Sequence, residues 1–145
     1  RIDMSKLKKL GLKEGPLVGE LQKGKDIAIN GKKIKSKDVT YQQKGKKISI
    51  ILDTKANSNC LNAAKDADIL ICESNYLNEH KDKANEYKHM TAEQAADIAK
   101  KAKVKSLYLT HISQRYELRE NQILKEAKKK FQNTKIAEDF MKLEV

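Results

Sequence analysis

The chain contains few of the residues that mark several large classes of protein. Its 145 residues include no tryptophan, one proline and two cysteines, Cys60 and Cys72. The cysteines show no C-x-x-C or other spacing typical of a metal site, so we expect reduced thiols and a cytoplasmic protein. No apolar run approaches the roughly 18 residues that a membrane-spanning helix needs, and no signal-peptide pattern opens the sequence. We therefore expect no membrane partner.

Positive charge is in excess, and most of the excess lies in the first third of the chain. The formal net charge is +11. Residues 1–47 include 14 basic and five acidic side chains, whereas the remainder includes 17 basic and 15 acidic ones. Clustered lysines favour binding to phosphate backbones, because neutralising the phosphates releases counterions. Charge alone leaves two interpretations open, a nucleic-acid-binding segment and a lysine-rich solvated surface.

Local patterns divide the chain into a basic arm, residues 1–46, and a body, residues 47–145. In the arm, Gly15-Pro16 forces a turn between two short helical segments. Further along, Asn30-Gly31 predicts a two-stranded hairpin. Elements this short enclose little apolar volume, so we expect a mobile arm with almost no core.

The body alternates apolar strands with helices, a pattern typical of a layered α/β domain. Strands are predicted at residues 47–52, 68–72 and 104–109. Helices are predicted at residues 58–67, 91–102 and 117–131, with a final short element in 135–145. The second helix carries the clearest signal, since Thr91 and Gln94 have the spacing of a capping box.

Each predicted strand of the body ends in polar residues, and ligand sites in such sheets gather at the carboxyl ends of strands. Asp53 follows the first strand, Glu73 the second and His111 the third. His89, just before the helix capped by Thr91, can reach the same rim. Asp53 and His111 suit a cation such as Zn²⁺, although two ligands are too few for a stable site. The alternative is that the polar residues at the strand ends are ordinary turn residues. His80 lies in a charge-rich stretch and is expected to be solvated.

The stretch KSLYLTHISQRY, residues 105–116, places polar side chains in alternation after the third strand. If the extended backbone continued past Leu109, its period of two would project His111, Ser113 and Arg115 to one side. A planar, permanently charged guanidinium suits phosphate binding. The stretch therefore indicates either an anion clamp or a polar loop after a buried strand.

Four segments resemble, in order, the motifs of ribonuclease Z, the tRNA 3′-processing endoribonuclease of the metallo-β-lactamase superfamily. They are ILDT at 51–54, ESNY at 73–76, HMT at 89–91 and HISQRY at 111–116. The earlier KLKKLGLKEGPLVGELQKG resembles the flexible arm of that family, whose Gly-Pro element lies in the tRNA-gripping exosite. The resemblance covers nearly the whole chain and departs from the family pattern at Leu52, Asn75 and Met90.

The resemblance implies a fold: the second half of an αββα sandwich with a small protruding helix/hairpin arm. The family's H-x-H-x-D-H run, and a further ligand histidine, are absent from this sequence. We therefore expect the chain to be part of something longer, with the missing N-terminal half in the same or another chain. By itself the chain is expected to be inactive.

The resemblance also implies a role for each matching residue. Asp53 would bridge two zinc ions and His111 would complete one of them, while Glu73 and His89 would form the acid/base pair. Ser113 and Arg115 would hold the substrate phosphate. The exosite would comprise Gly15, Pro16, Lys6, Lys8, Lys9, Lys13, Lys23 and Lys25. The implied reaction is removal of the 3′ trailer from precursor tRNA by a zinc-activated hydroxide, in an enzyme that is usually a homodimer.

Two other functions remain open on the sequence. One is a metallo-β-lactamase-fold phosphodiesterase acting on a small substrate, which would have no use for the positive charge of the arm. The other is a non-catalytic RNA-binding module in which Asp53 and His111 are relics.

Overall fold

The computed structural model describes residues 1–29 and 31–144, which fall into two units, Arg1–Gly45 and Lys46–Val145. We call these the N-terminal unit and the sheet unit. Within the described residues, no helix is both long and apolar enough to cross a membrane.

The N-terminal unit consists of three short helices and a hairpin. Its elements are α1 (Met4–Lys9), α2 (Pro16–Gln22), β1 (Ile27–Ile29), β2 (Lys32–Ile34) and α3 (Ser36–Val39). The two strands pair antiparallel, as the hairpin signal predicts, with Ile27 opposite Ile34. Asn30, the first residue of the predicted turn, lies outside the described residues.

The expectation that this segment has almost no core is wrong. Leu7, Leu21 and Val39, one from each helix, are almost completely buried in one cluster together with Ile2, Val18 and Ile27. Two polar contacts hold the small core closed. The hydroxyl of Ser36 donates to the carbonyl of Leu21 at 2.7 Å, and a bridge between Ile2 and Thr40 joins the two ends of the unit.

The sheet unit is built on a parallel sheet. Among the described residues its strands are β3 (Ile48–Ile51), β4 (Ile69–Glu73), β5 (Ser106–Thr110) and β6 (Thr134–Ile136), in that spatial order. Its helices are α4 (Ser58–Ala64), α5 (Lys81–Glu86), α6 (Ala92–Lys101) and α7 (Glu120–Lys130), with 3₁₀ turns at Asn78–His80 and Gln114–Tyr116. The α/β prediction is confirmed. The sequence does not reveal β6 as a strand, because it is three residues long and pairs on one side only.

One face of the sheet packs on the helices. Leu70 and Leu107 are fully buried in this core, against the small side chains of α6 such as Ala95 and Ala99. The predicted capping box is confirmed: Thr91 Oγ1 accepts the N–H of Gln94, and the Gln94 side chain accepts the N–H of Thr91. A well-defined start for α6 fixes where the chain before it, including His89, must lie.

The opposite face of the sheet is apolar but open along β3. Ile48, Ile50 and Leu52 are 52%, 62% and 49% exposed. Exposed apolar surface of this kind marks a face that another element covers.

Both cysteines are buried in the core of the sheet unit, and neither forms a disulfide. Burial raises the pKa of the Cys72 thiol far above its ordinary value. A thiol of this kind is unreactive and serves as a small apolar side chain.

Candidate functional site

Asp53 and His111 lie on two chain segments that leave the sheet on either side of β4. Because β3, β4 and β5 are parallel, their carboxyl ends lie at the same edge. Asp53 follows β3 with φ 55°, and His111 follows β5 with φ 54°. This left-handed backbone is uncommon for residues other than glycine, although aspartate and histidine adopt it more readily than most. It brings Oδ1 of Asp53 to 3.9 Å from Nε2 of His111.

Glu73, the last residue of β4, is completely buried beneath the same edge. Its Oε1 accepts the backbone N–H of Thr54. Its Oε2 accepts the backbone N–H of Met90 at 3.0 Å and lies 3.0 Å from Nδ1 of His89. Each of these three groups can therefore donate a hydrogen bond to the carboxylate.

His89 lies between the buried carboxylate and the exposed rim. Its side chain is 21% exposed, and its ring centroid is 5.2 Å from that of His111. A carboxylate only accepts hydrogen bonds, so Nδ1 of His89 is the protonated ring nitrogen that donates to Glu73. Nε2 is then the nitrogen that remains available to a substrate.

The donor atoms at the rim suit a metal ion. One oxygen of Asp53 and one nitrogen each from His89 and His111 lie within 4.8 Å of one another. Carboxylate and imidazole are ligands of zinc. The His89 nitrogen that lies 3.9 Å from Asp53 is Nδ1, which is already bonded to Glu73. Asp53 and His111 therefore offer two ligand atoms that fit a divalent metal ion, and a full coordination shell needs ligands beyond these two.

The expected alternation of His111, Ser113 and Arg115 along an extended strand is wrong. The backbone turns at His111, and Arg115 lies in the 3₁₀ turn Gln114–Tyr116. The guanidinium of Arg115 nevertheless stays near the site, because it stacks 5.3 Å from the ring centroid of Tyr76, and that centroid is 6.3 Å from the ring of His89. Ser113 is held by its backbone N–H, which donates to the carbonyl of Asn75.

Four residues in contact with the site have no role in the sequence-based prediction. Thr54 and Met90 reach Glu73 through their backbone N–H groups, which no side-chain pattern reveals. Asn75 and Tyr76 contact the His111–Arg115 segment, and their place in ESNY, directly after Glu73, is the available signal. The expectation that His80 is solvated is also wrong, because its Nδ1 lies 3.0 Å from the hydroxyl of the buried Tyr116.

The residues predicted for an exosite all lie in the N-terminal unit. The six lysines are exposed: Lys6, Lys8, Lys9, Lys13, Lys23 and Lys25. Lys23 and Lys25 both pair with Glu20, at 3.1 and 2.7 Å, so their charge is partly neutralised. Gly15 precedes α2 as its N-cap, and Pro16 occupies the first helical position, where the N–H that proline lacks would have no partner within the helix.

Replacing Glu73 with glutamine is expected to destabilise the chain, because the new amide NH₂ must face one of three donors: Thr54 N–H, Met90 N–H or His89 Nδ1. Leaving a buried donor unpaired costs about 1–3 kcal/mol. Urea unfolding with a chelator present measures the change in unfolding free energy. The exposed Glu79→Gln is the matched control, expected to stay within about 0.5 kcal/mol. Equal stabilities of the two variants would contradict the geometry described for Glu73.

Curated relatives match almost the whole chain. A ribonuclease Z from Archaeoglobus fulgidus is 43% identical over 139 residues, which cover 95% of this chain. One from Enterococcus faecalis is 40% identical over 147 residues, 99% of this chain. The chain belongs to the ribonuclease Z family. It spans about half the length of these ribonuclease Z relatives, 45% and 47% respectively. No family model matches the chain.

Solved structures agree with placement in the ribonuclease Z family and confirm the predicted fold. The short form of human tRNase Z superposes with a TM-score of 0.52 at 32% identity, covering 75% of this chain and 35% of that one. The metallo-β-lactamase fold protein YhfI from Bacillus subtilis gives a TM-score of 0.58 at 27% identity, covering 63% and 37%. The layer of helices on a parallel sheet is thus part of a metallo-β-lactamase fold.

Proposed function

We propose that the protein to which this chain contributes is an endoribonuclease that removes 3′ trailers from precursor tRNA. The observation that carries the proposal is the convergence of two pairs at one sheet edge. Asp53 and His111 lie 3.9 Å apart, and His89 lies 3.0 Å from the buried Glu73. Relatives named ribonuclease Z support the choice of substrate.

In this proposal Asp53 and His111 would hold two zinc ions together with ligands from an H-x-H-x-D-H half outside this chain. Zinc bound there would lower the pKa of a water molecule and neutralise charge on the scissile phosphate. The exposure of Asp53, whose side chain is 79% accessible, suits a ligand shared with another part of the protein.

Glu73 and His89 act as the acid/base pair. The carboxylate of Glu73 holds the proton on Nδ1 of His89 and fixes the plane of the ring through its bonds to Thr54 and Met90. Nε2 of His89 then carries the proton that is delivered to the leaving 3′ oxygen. Burial of Glu73 excludes water from the side of the ring that must stay fixed.

Ser113 and Arg115 bind the phosphate at the cleavage point. Arg115 is preorganised for this role by its stacking on Tyr76, since a guanidinium over an aromatic ring has less freedom to lose when it binds.

The N-terminal unit serves as the tRNA-gripping exosite, through Gly15, Pro16 and the exposed lysines. Lysine contacts with phosphate recognise the shape and backbone of folded RNA without reading its sequence. We also propose a homodimer, which sedimentation analysis of the complete protein tests directly.

The deciding experiment uses the complete protein, this chain together with its ligand half. It is expected to cut a precursor tRNA near the 3′ end of the acceptor stem, leaving a 3′-hydroxyl, and to lose activity on chelation or in Asp53→Ala. This chain alone is expected to be inactive. Hydrolysis of bis(p-nitrophenyl) phosphate without tRNA cleavage would favour a small-substrate phosphodiesterase. RNA binding without either reaction would favour a non-catalytic module.

A further inference from the structure

Three residues after β4, Ser74, Asn75 and Tyr76, lie between the two histidine-bearing segments. We call them the spacer. On one side, Tyr76 donates its N–H to the carbonyl of Met90, next to His89, and its carbonyl accepts the N–H of Ala92. On the other side, Ser74 donates its N–H to the carbonyl of Thr110, next to His111. The spacer therefore sets the separation between the two imidazoles, which is 5.2 Å between ring centroids.

Asn75 makes the contact within the spacer that a substitution can remove. Its side-chain Nδ2 donates to the backbone carbonyl of His111 at 2.9 Å. Its own carbonyl accepts the N–H of Ser113 at 3.2 Å. One residue thus holds the backbone on both sides of Ile112, from His111 to Ser113.

The contact supports the backbone of His111. Its φ of 54° lies in the left-handed region, which costs free energy for a residue with a side chain, and a hydrogen bond from a neighbouring segment offsets part of that cost. The amide of Asn75 fixes the peptide group that follows His111, and this peptide determines how the left-handed turn continues. The same turn directs Nε2 of His111 towards Asp53.

We propose that Asn75 is a positioning residue for His111, holding the imidazole at the distance from Asp53 that a shared metal ion requires. The inference rests on the proposed function for the role of His111 as a metal ligand. The position of the His111 ring can be measured without any metal or substrate. In the sequence Asn75 is only a departure from the family pattern, and the contact with His111 gives it a role.

The test uses Asn75→Ala and Asn75→Asp in the complete protein. Aspartate keeps the shape of asparagine but places an acceptor against the His111 carbonyl. Asn75→Asp should therefore displace the His111 ring more than Asn75→Ala does. The exposed Asn121→Ala in α7 is the matched control. Nitrogen-15 NMR of the histidine rings is recorded on metal-free protein. The His111 ring signals are expected to shift or broaden in both Asn75 variants and to stay unchanged in the control.

Cobalt binding, followed by visible absorption, supplies the second readout. The dissociation constant for Co²⁺ is expected to rise about tenfold in Asn75→Ala, the usual effect of removing a group that orients a metal ligand. His111→Ala sets the upper limit of the loss. The unfolding midpoint of the metal-free protein, compared with that of Asn121→Ala, separates loss of positioning from loss of folding.

Unchanged His111 ring signals in Asn75→Ala would overturn the proposal. Wild-type Co²⁺ affinity in Asn75→Ala would also overturn it if His111→Ala binds Co²⁺ weakly. If the wild-type protein fails to cleave precursor tRNA, the proposed function fails. Both measurements on Asn75 still stand in that case, because neither depends on the substrate.

Discussion

Replacing His89 with alanine is expected to lower the single-turnover rate constant for precursor-tRNA cleavage by about 10²–10⁴-fold, the usual contribution of a positioned general acid. The 3′ oxygen of a ribose is a poor leaving group and needs the proton that Nε2 of His89 supplies in the proposed mechanism. Quench-flow measurement on a trailer-containing tRNA gives the rate constant.

A second substrate distinguishes a general acid such as His89 from a metal ligand such as Asp53. The leaving group of bis(p-nitrophenyl) phosphate departs without a proton, so the His89→Ala variant is expected to hydrolyse it at close to the wild-type rate. Asp53→Ala should lose activity on both substrates. His80→Ala serves as the off-site histidine control, with its unfolding midpoint checked because His80 contacts Tyr116. Equal losses of His89→Ala on the two substrates would contradict the acid role.

Removing positive charge from α1 is expected to weaken tRNA binding with a recognisable dependence on salt. In a triple variant, Lys6, Lys8 and Lys9 become alanine; all three are exposed. Losing one lysine–phosphate interaction makes the slope of log K (the tRNA association constant) against log salt concentration shallower by roughly one. For the three lysines together, the slope is expected to become shallower by about three. Filter binding of catalytically inactive protein between low and physiological salt gives the slope.

A control with the same change in charge isolates the role of the N-terminal unit. Lys101, Lys125 and Lys129 are exposed lysines of the sheet unit, and replacing them with alanine is expected to change the slope much less. Hydrolysis of bis(p-nitrophenyl) phosphate should be unaffected by either triple variant. The exosite proposal fails if the two variants shift the slope equally.

Much of the sheet unit was predictable because its signals are local. The apolar runs that form β3, β4 and β5 are bounded by polar residues, and the capping box at Thr91 depends on a spacing of three residues. The polar ends of these strands could be identified for the same reason. α7 begins at Glu120 and not near residue 117, because Gln114–Tyr116 forms a separate 3₁₀ turn that no local pattern indicates.

The errors concern contacts between residues distant in the sequence. The core of the N-terminal unit forms because Leu7, Leu21 and Val39 meet across three helices, each too short to predict a core by itself. β6 is a strand only because β5 lies beside it. His80 is a structural residue only because Tyr116, 36 positions away, places a hydroxyl against it.

By itself the sequence determined the class of fold, the identity of the polar residues at the strand ends and the family, because periodicity, capping and motif order are local properties of the chain. The family resemblance already implied the pairs Asp53–His111 and Glu73–His89, and only the tertiary structure decided which atoms meet and which further residue holds them. Glu73 takes Nδ1 of His89, Asp53 faces His111, and Asn75 holds the turn that makes this possible. Those pairings depend on parallel strands that end at one edge of the sheet and on left-handed turns after two of the strands. Contacts from separate segments of the chain offset the free-energy cost of these turns.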